Sequence, residues 1–532
     1  MKMHKKNTTL GRLGFCLTLC AALAWERQNA AAAPATLPQD HDYQKVLRAH
    51  MATLTEKDFD HGLGDKPQLT TPPDTRDPEA QYRSLMLTQM IPPMIGSKRG
   101  STSINLPSRF FTLKEIEGGE EGIRTPRIDA DSLMSFTHWD YAGNSLLNNR
   151  ALKMRAFVAG ALQMMMADGH LDANPTQGRA DWHAYQLIYF GFPYAGFKDV
   201  LPAEVQAAYV TGMERYARRI LGWGVKGEEP NLDLIAAASL WYAYDASSDE
   251  ALRAAIENHI RMMFTDPKYF HPAGYWVERG GLDIGFAGMA NYFANWSALK
   301  SNRDYANDAV ARLYRLRAHL ILTEPDGSKV GPTEFNSRLG SDPHGDQWDW
   351  DGARDYAASQ ITDEAAHLVQ PTLEALAQAA AHRAGSFNSQ IRENPINGPK
   401  TKASGGNVHC TSDELSSQPW QFRMWYNWNF PVTLNPGYDH YRPGSWARRQ
   451  ALEKANSPML KSPFQRGEHF IRDFAQAFVV AHQSGYTAIL HTGTVGRPVP
   501  GEALHNFAGP MGFGGGQLAA FSTPKAVSSR VM

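Results

Sequence analysis

The sequence predicts a mainly α-helical chain that passes into antiparallel β-structure near its C-terminus, and three observations carry that expectation. Apolar residues recur every three to four positions through long stretches before residue 390. A stretch rich in Gly, Pro, Asn and Lys, "HRAGSFNSQIRENPINGPKTKASGGN", interrupts the pattern. After Phe470 the residues become β-branched and aromatic, in runs bounded by glycine.

The helical part is read from segments such as "PAEVQAAYVTGMERYARRILGW", in which Val205, Tyr209, Met213, Tyr216 and Ile220 share one face. In "RDYANDAVARLYRLRAHLIL", Ala309, Leu313, Leu316 and Leu320 do the same. Helix starts are expected at Ser247, with Glu250 completing a capping box, and at Asn231 as N-cap behind Pro230. Such segments amount to roughly eight to ten helices between Ala151 and Gly385, an all-α unit on pattern alone.

The connector continues into "QPWQFRMWYNWNFPVTLNPGYDHYRPGSW", dense in aromatics, and a short helix is expected from Ala447 to Ala455. In "AFVVAHQSGYTAILHTGTVG" two β-rich runs flank Ser484-Gly485, and "GFGGGQLAAFSTP" reads as a further strand. So few strands cannot cover a sheet face alone, so either the helical unit completes the sheet or the chain is a fragment.

The 532 residues exceed one small domain, and 53 Lys+Arg against 54 Asp+Glu leave no global field to attract nucleic acid or an anionic membrane. Neutrality also argues against a highly sulfated ligand, which would want a dense basic cleft. At the N-terminus, basic residues precede an apolar run from Leu13 to Trp25 and small residues at Ala30 to Ala33, which reads as a secretory signal peptide over 1–32. The expected location is secreted or periplasmic, with no membrane span elsewhere. Cys16 and Cys20 fall in that leader, so Cys410 is left without an internal disulfide partner.

The stretch richest in chemistry is "HPAGYWVERGGLDIGFAGMANYFANW", residues 271–296. Tyr275 and Trp276 offer flat faces on which sugar rings stack, and equally serve to pack a turn on the core. Gly280 and Gly281 suit a loop, Asp283 suits an N-cap, and Glu278 has no evident structural task. Tyr292 lies beside Asn291 on the following helix, where core packing and catalysis are both open.

The order of parts, and the loop "GYWVERGGLDIGF" opening into a helix, resemble the secreted polysaccharide lyases of heparinase-like and alginate-lyase-like architecture. The resemblance implies an incomplete (α/α) toroid of helical hairpins over residues 40–395, an aromatic-rich connector over 396–460 and the start of an antiparallel, β-sandwich-type domain over 461–532. It also implies β-elimination on a uronic-acid-containing polysaccharide. Removing the C5 proton requires that the neighbouring carboxylate be neutralised by Asn, Arg or a protonated acid, while a Tyr or His takes the proton. In this reading Asn231 orients the carboxylate and His183, Tyr292, Tyr438 and Tyr441 are eligible for proton transfer. Trp182, Tyr275, Trp276, Glu278, Asp283, His440 and Arg442 hold substrate. Phe286 stands where such a loop has a tyrosine, so the base remains open among the four.

"NPGYDHYRPGSW" places Tyr438, His440, Tyr441 and Arg442 together in a Gly/Pro-bounded loop, where Arg grips carboxylates and Tyr and His move protons. "SDPHGDQWDWDGARD" gathers Asp342, His344, Asp346, Asp349 and Asp351, which could bind Ca²⁺, although the spacing is not that of an EF-hand and a solvated acidic loop is the favoured reading. No zinc spacing, P-loop, dinucleotide fingerprint or nucleophile elbow stands out, so no cofactor is expected. Two other classes remain beside the lyase. One is an (α/α)-barrel glycoside hydrolase with paired carboxylates, the other a non-catalytic glycan-binding protein.

Overall fold

A computed structural model describes residues 42–60, 147–173, 186–188, 190–225, 230–278, 281–282, 284–323, 329–330, 361–367, 451–494, 515–524 and 526–530. The signal-peptide segment and nearly all of the 396–460 connector lie outside them. Contacts divide the chain into Met1–Asp42 and a compact unit, Tyr43–Met532, which is the one described below.

Helices dominate up to residue 320. They are α1 (Asp42–Thr53), α2 (Arg150–Ala173), the single turn α3 (Tyr194–Phe197), α4 (Ala203–Gly222), α5 (Pro230–Ser247), α6 (Glu250–Thr265), α7 (Ile284–Ser301) and α8 (Asp304–Leu320). The long ones alternate in character. Helices α4, α6 and α8 each bury one stripe, which in α4 runs through Val205, Tyr209, Met213, Tyr216 and Ile220, and in α8 includes Ala309, Leu313, Leu316 and Leu320. The periodicity expected from the sequence therefore holds. In α5, by contrast, burial is continuous from Leu232 to Ala243, and α7 is buried from Phe293 to Ala298.

Packing follows that alternation. Helix α5 lies against α7, α4 and α6, while α6 contacts α8, α8 contacts α7, and α2 contacts α4. Among the described residues α5 and α7 are thus the inner helices of this packing and α4, α6 and α8 the outer ones.

Two expected helix starts are placed differently. Helix α5 begins at Pro230, whose missing N–H and preset φ suit a first helical position, so Asn231 lies within the first turn rather than capping it. Ser247 is the last residue of α5 and cannot cap α6. After Ser248, which takes a positive φ of 58°, Asp249 caps α6 by accepting from the Ala251 and Leu252 N–H groups at 2.9 and 3.3 Å.

Between α6 and α7 the chain forms a small three-stranded sheet, β1 (Phe270–His271), β2 (Tyr275–Glu278) and β3 (Gly281–Leu282), all antiparallel. A two-stranded pair, β4 (Leu322–Thr323) and β5 (Lys329–Val330), follows α8. Near the C-terminus, residues 451–454 complete a helical turn where a helix was expected. Then β6 (Phe470–Phe474), β7 (Phe478–Gln483), β8 (Tyr486–His491), β9 (Gln517–Thr523) and β10 (Ala526–Arg530) form an antiparallel meander in sequential order. Gln483 pairs with Tyr486, so Ser484-Gly485 is the two-residue turn that the sequence marks.

Among the described residues the strands of this meander make one antiparallel sheet. His319 of α8 lies against Phe470 and Phe474 of this sheet, and Tyr275 of β2 lies against its Phe478. Phe474, Phe478, Val480, Ile489 and Ala520 belong to the same apolar core as the helical layers, because alternate residues of each strand point to one face.

Candidate functional site

The 271–296 stretch is built around its turns. After β1, residues Pro272 to Gly274 reverse the chain, and the Gly274 N–H donates to the His271 carbonyl at 2.8 Å. Gly274 has a φ of 105°, and a Cβ there would stand 2.3 Å from the Arg312 carbonyl oxygen of α8. Only glycine lets this turn lie directly on the α8 backbone. Glu278 ends β2 opposite Gly281, and within two residues of the end of β3 the chain enters α7.

Both aromatic side chains of β2 face inward. Trp276 is 1% exposed, with the Phe264 and Phe270 rings 5.0 and 4.5 Å from its own. Tyr275, 3% exposed, stacks on His271 at 4.6 Å and 9° and meets the edge of Phe478 from β7 at 6.4 Å. A sugar platform needs an open ring face, so the expectation that these two residues form one is corrected. They clamp the hairpin between α6, α8 and the C-terminal sheet. Burial raises the Tyr275 phenol to about 12 and lowers the His271 imidazole, so both resist ionisation where they sit.

Helix α7 carries Asn291 and Asn295 one turn apart, both buried. The Asn295 amide donates to the Tyr314 hydroxyl of α8 at 2.7 Å. Asn291, 3% exposed, has no hydrogen-bond partner for its Oδ1. Such a group costs about 1–3 kcal/mol to bury unpaired, and the Ser297 hydroxyl of the same helix is buried in the same state, so Asn291 is one of several buried polar groups that could meet a ligand. The sequence reading passed over Asn291 as a mere neighbour of Tyr292. The signal available was the pair of asparagines four residues apart in the otherwise apolar "MANYFANW".

Of the other expected site residues, Asn231, Glu278 and Tyr292 are placed by their backbones on α5, β2 and α7, and their side chains lie outside what is described. Trp182, His183, Asp283, Tyr438, His440, Tyr441 and Arg442 lie outside the described residues, as do Asp342, His344, Asp346, Asp349 and Asp351 of the proposed calcium loop. The structure thus brings the Tyr275–Glu278 strand and the first turns of α7 together at one corner. Among the described residues there is no group of three metal-ligating side chains.

A buried ionic group at Asp168 is of a different kind. Asp168 of α2 receives Tyr43 of α1 at 2.8 Å, Arg215 at 2.7 Å and Arg219 at 2.9 Å, the last two from α4. Every oxygen is engaged within the protein, so this network joins helices rather than awaiting a ligand.

No family model matches the chain, and no curated protein matches it. Among solved structures, a Streptomyces coelicolor A3 chondroitin AC lyase in complex with chondroitin sulphate is similar at a TM-score of 0.43 and 15% identity, over 91% of this chain and 58% of that one. The chain therefore spans less than two thirds of that protein's length, and a likeness of this degree assigns neither fold nor activity.

Proposed function

We propose that the chain is an exported polysaccharide lyase that cleaves a uronic-acid-containing polymer by β-elimination. The observation that supports this most is the corner where β2 ends at Glu278 and α7 begins, with the buried, partly unpaired Asn291 amide nearby in sequence. A carboxamide Nδ2–H donates to a uronate carboxylate as negative charge develops on it, and a neighbouring acid orients that carboxylate when it is itself protonated. Glu278 and Asn231 take those orienting roles beside Asn291. His183, Tyr292, Tyr438 and Tyr441 are the groups from which the proton acceptor is drawn. Trp182, Asp283, His440 and Arg442 complete the substrate contacts, and the segment over 1–32 directs export. Tyr275 is set aside as the base, because its phenol is raised by burial and its ring is stacked in the seam.

The test is to incubate the purified protein with alginate, glucuronan, hyaluronan, chondroitin, heparan sulfate and ulvan while following ultraviolet absorbance. Elimination leaves an unsaturated uronyl end that absorbs, and one polymer should raise the signal. Reducing ends released without absorbance would instead mark a glycoside hydrolase, and binding without cleavage a glycan-binding protein.

A further inference from the structure

We propose that the seam between α8 and the C-terminal sheet is a pH-sensitive joint, closed while the His319 imidazole is neutral and opened when acid protonates it.

His319 lies in the last turn of α8 and is 2% exposed. Its Nδ1 is 2.6 Å from the Arg315 carbonyl oxygen, which can only accept, so Nδ1 carries the proton. Nε2 then presents a lone pair, and an Arg472 guanidinium N–H from β6 donates to it. One tautomer satisfies both nitrogens at once. Adding a proton to Nε2 sets N–H against N–H in a pocket walled by Phe464, Phe470 and Phe474, whose rings are centred 6.3, 5.4 and 5.1 Å away.

The charges around the ring point the same way. Helix α8 itself brings Arg315 and Arg317. Arg472 and Glu468 come from β6 and the segment before it, and Arg466 from the turn after residues 463–465. The 3-10 turn Asp363–Ala365 adds Glu364, and β7 adds His482, whose ring lies 5.5 Å from that of Phe464. The same turn carries Asp363; Glu364 is paired with Arg315 at 3.6 Å and Glu468 with Arg472 at 3.3 Å, so an imidazolium would face guanidinium groups with these two acids already engaged. Burial foremost, and then the Arg472, Arg466 and Arg315 charges, hold His319 at about 4.

The sign follows from linkage. A histidine whose folded value is depressed contributes its full stability above the ordinary value of 6.5 and loses it as pH falls towards about 4. The closed population should fall about 100-fold relative to the open one between pH 7 and pH 4. Opening the joint would also draw Phe478 away from Tyr275.

Hydrogen exchange of the full-length protein at pH 7, 5.5 and 4, with times scaled for intrinsic chemistry, tests this. Protection at residues 314–320 and 463–474 should drop steeply with acid while α5 keeps its own. His319→Gln retains a polar amide that does not titrate, and it should abolish the acid-dependent drop. An equal drop in His319→Gln, or none in the wild type, overturns the proposal. Should His319→Gln fail to fold, NMR titration of ¹⁵N-histidine-labelled wild type and Arg472→Met decides. The joint requires a depressed ring value in the wild type that rises in Arg472→Met, and an ordinary value near 6.5 in both overturns it.

Discussion

Helices α5 and α7 are buried on almost every side, whereas α4, α6 and α8 bury one stripe and wet the rest. The difference changes what a polar residue means. On an outer helix, a charged side chain such as Arg253 faces water and pairs loosely, as it does with Glu250 at 3.9 Å. In an inner helix every polar group must find a partner or bear the cost of losing water. In α7 the Asn295 amide finds Tyr314, whereas the Asn291 Oδ1 and the Ser297 hydroxyl find none, and on α2 the buried Asp168 finds three partners. A buried polar group without a partner therefore calls for an explanation that a solvated one does not.

That contrast can be broken most readily at Asp168. Replacing it by alanine should cost about 3–5 kcal/mol in urea unfolding, because Arg215, Arg219 and Tyr43 lose a shared buried acceptor. A loss below about 1 kcal/mol would mean that this buried network is as loose as an exposed pair. The sharpest test of chemistry is Glu278→Gln, expected to lower turnover on the cleaved polymer by about 10²–10³-fold with an unchanged melting temperature. Lowered thermal stability with normal specific activity would place Glu278 among structural residues instead.

Smaller effects sharpen the same comparison. Asp249→Ala on outer helix α6 should cost about 1 kcal/mol, the worth of one N-cap, measured in the same urea titration. Asn291→Leu should leave stability unchanged or raise it by up to about 1 kcal/mol, since it removes a buried acceptor that has no partner, while lowering turnover. A clear loss of stability in Asn291→Leu would show that the amide is held within the core and is not waiting for substrate.

Much of the outer layer was legible in the sequence. Val205, Tyr209, Met213, Tyr216 and Ile220 repeat at helical spacing, and the stripe they form is the buried face of α4. The Ser484-Gly485 turn was equally legible, because a two-residue hairpin turn depends on local backbone geometry and on a residue free of a side chain. Local signals misled where one residue could serve two neighbours. Ser247 and Asp249 are both good caps, and the choice fell to Asp249 because Ser247 is already the last residue of α5.

By itself, then, the sequence determined the succession of amphipathic helices, the glycine-marked turns and the change to strands after residue 470, all of which follow from the spacing of residues close together along the chain. Only the tertiary structure decided that Trp276 and Tyr275 are clamped inside rather than displayed, because the rings that cover them come from α6 and β7. It alone joined His319 to Arg472, 153 residues later, and left the Asn291 oxygen unpaired. Burial and hydrogen-bond partnership are properties of groups that meet across the fold, and no spacing along a single chain encodes which of two aromatic faces another element will cover.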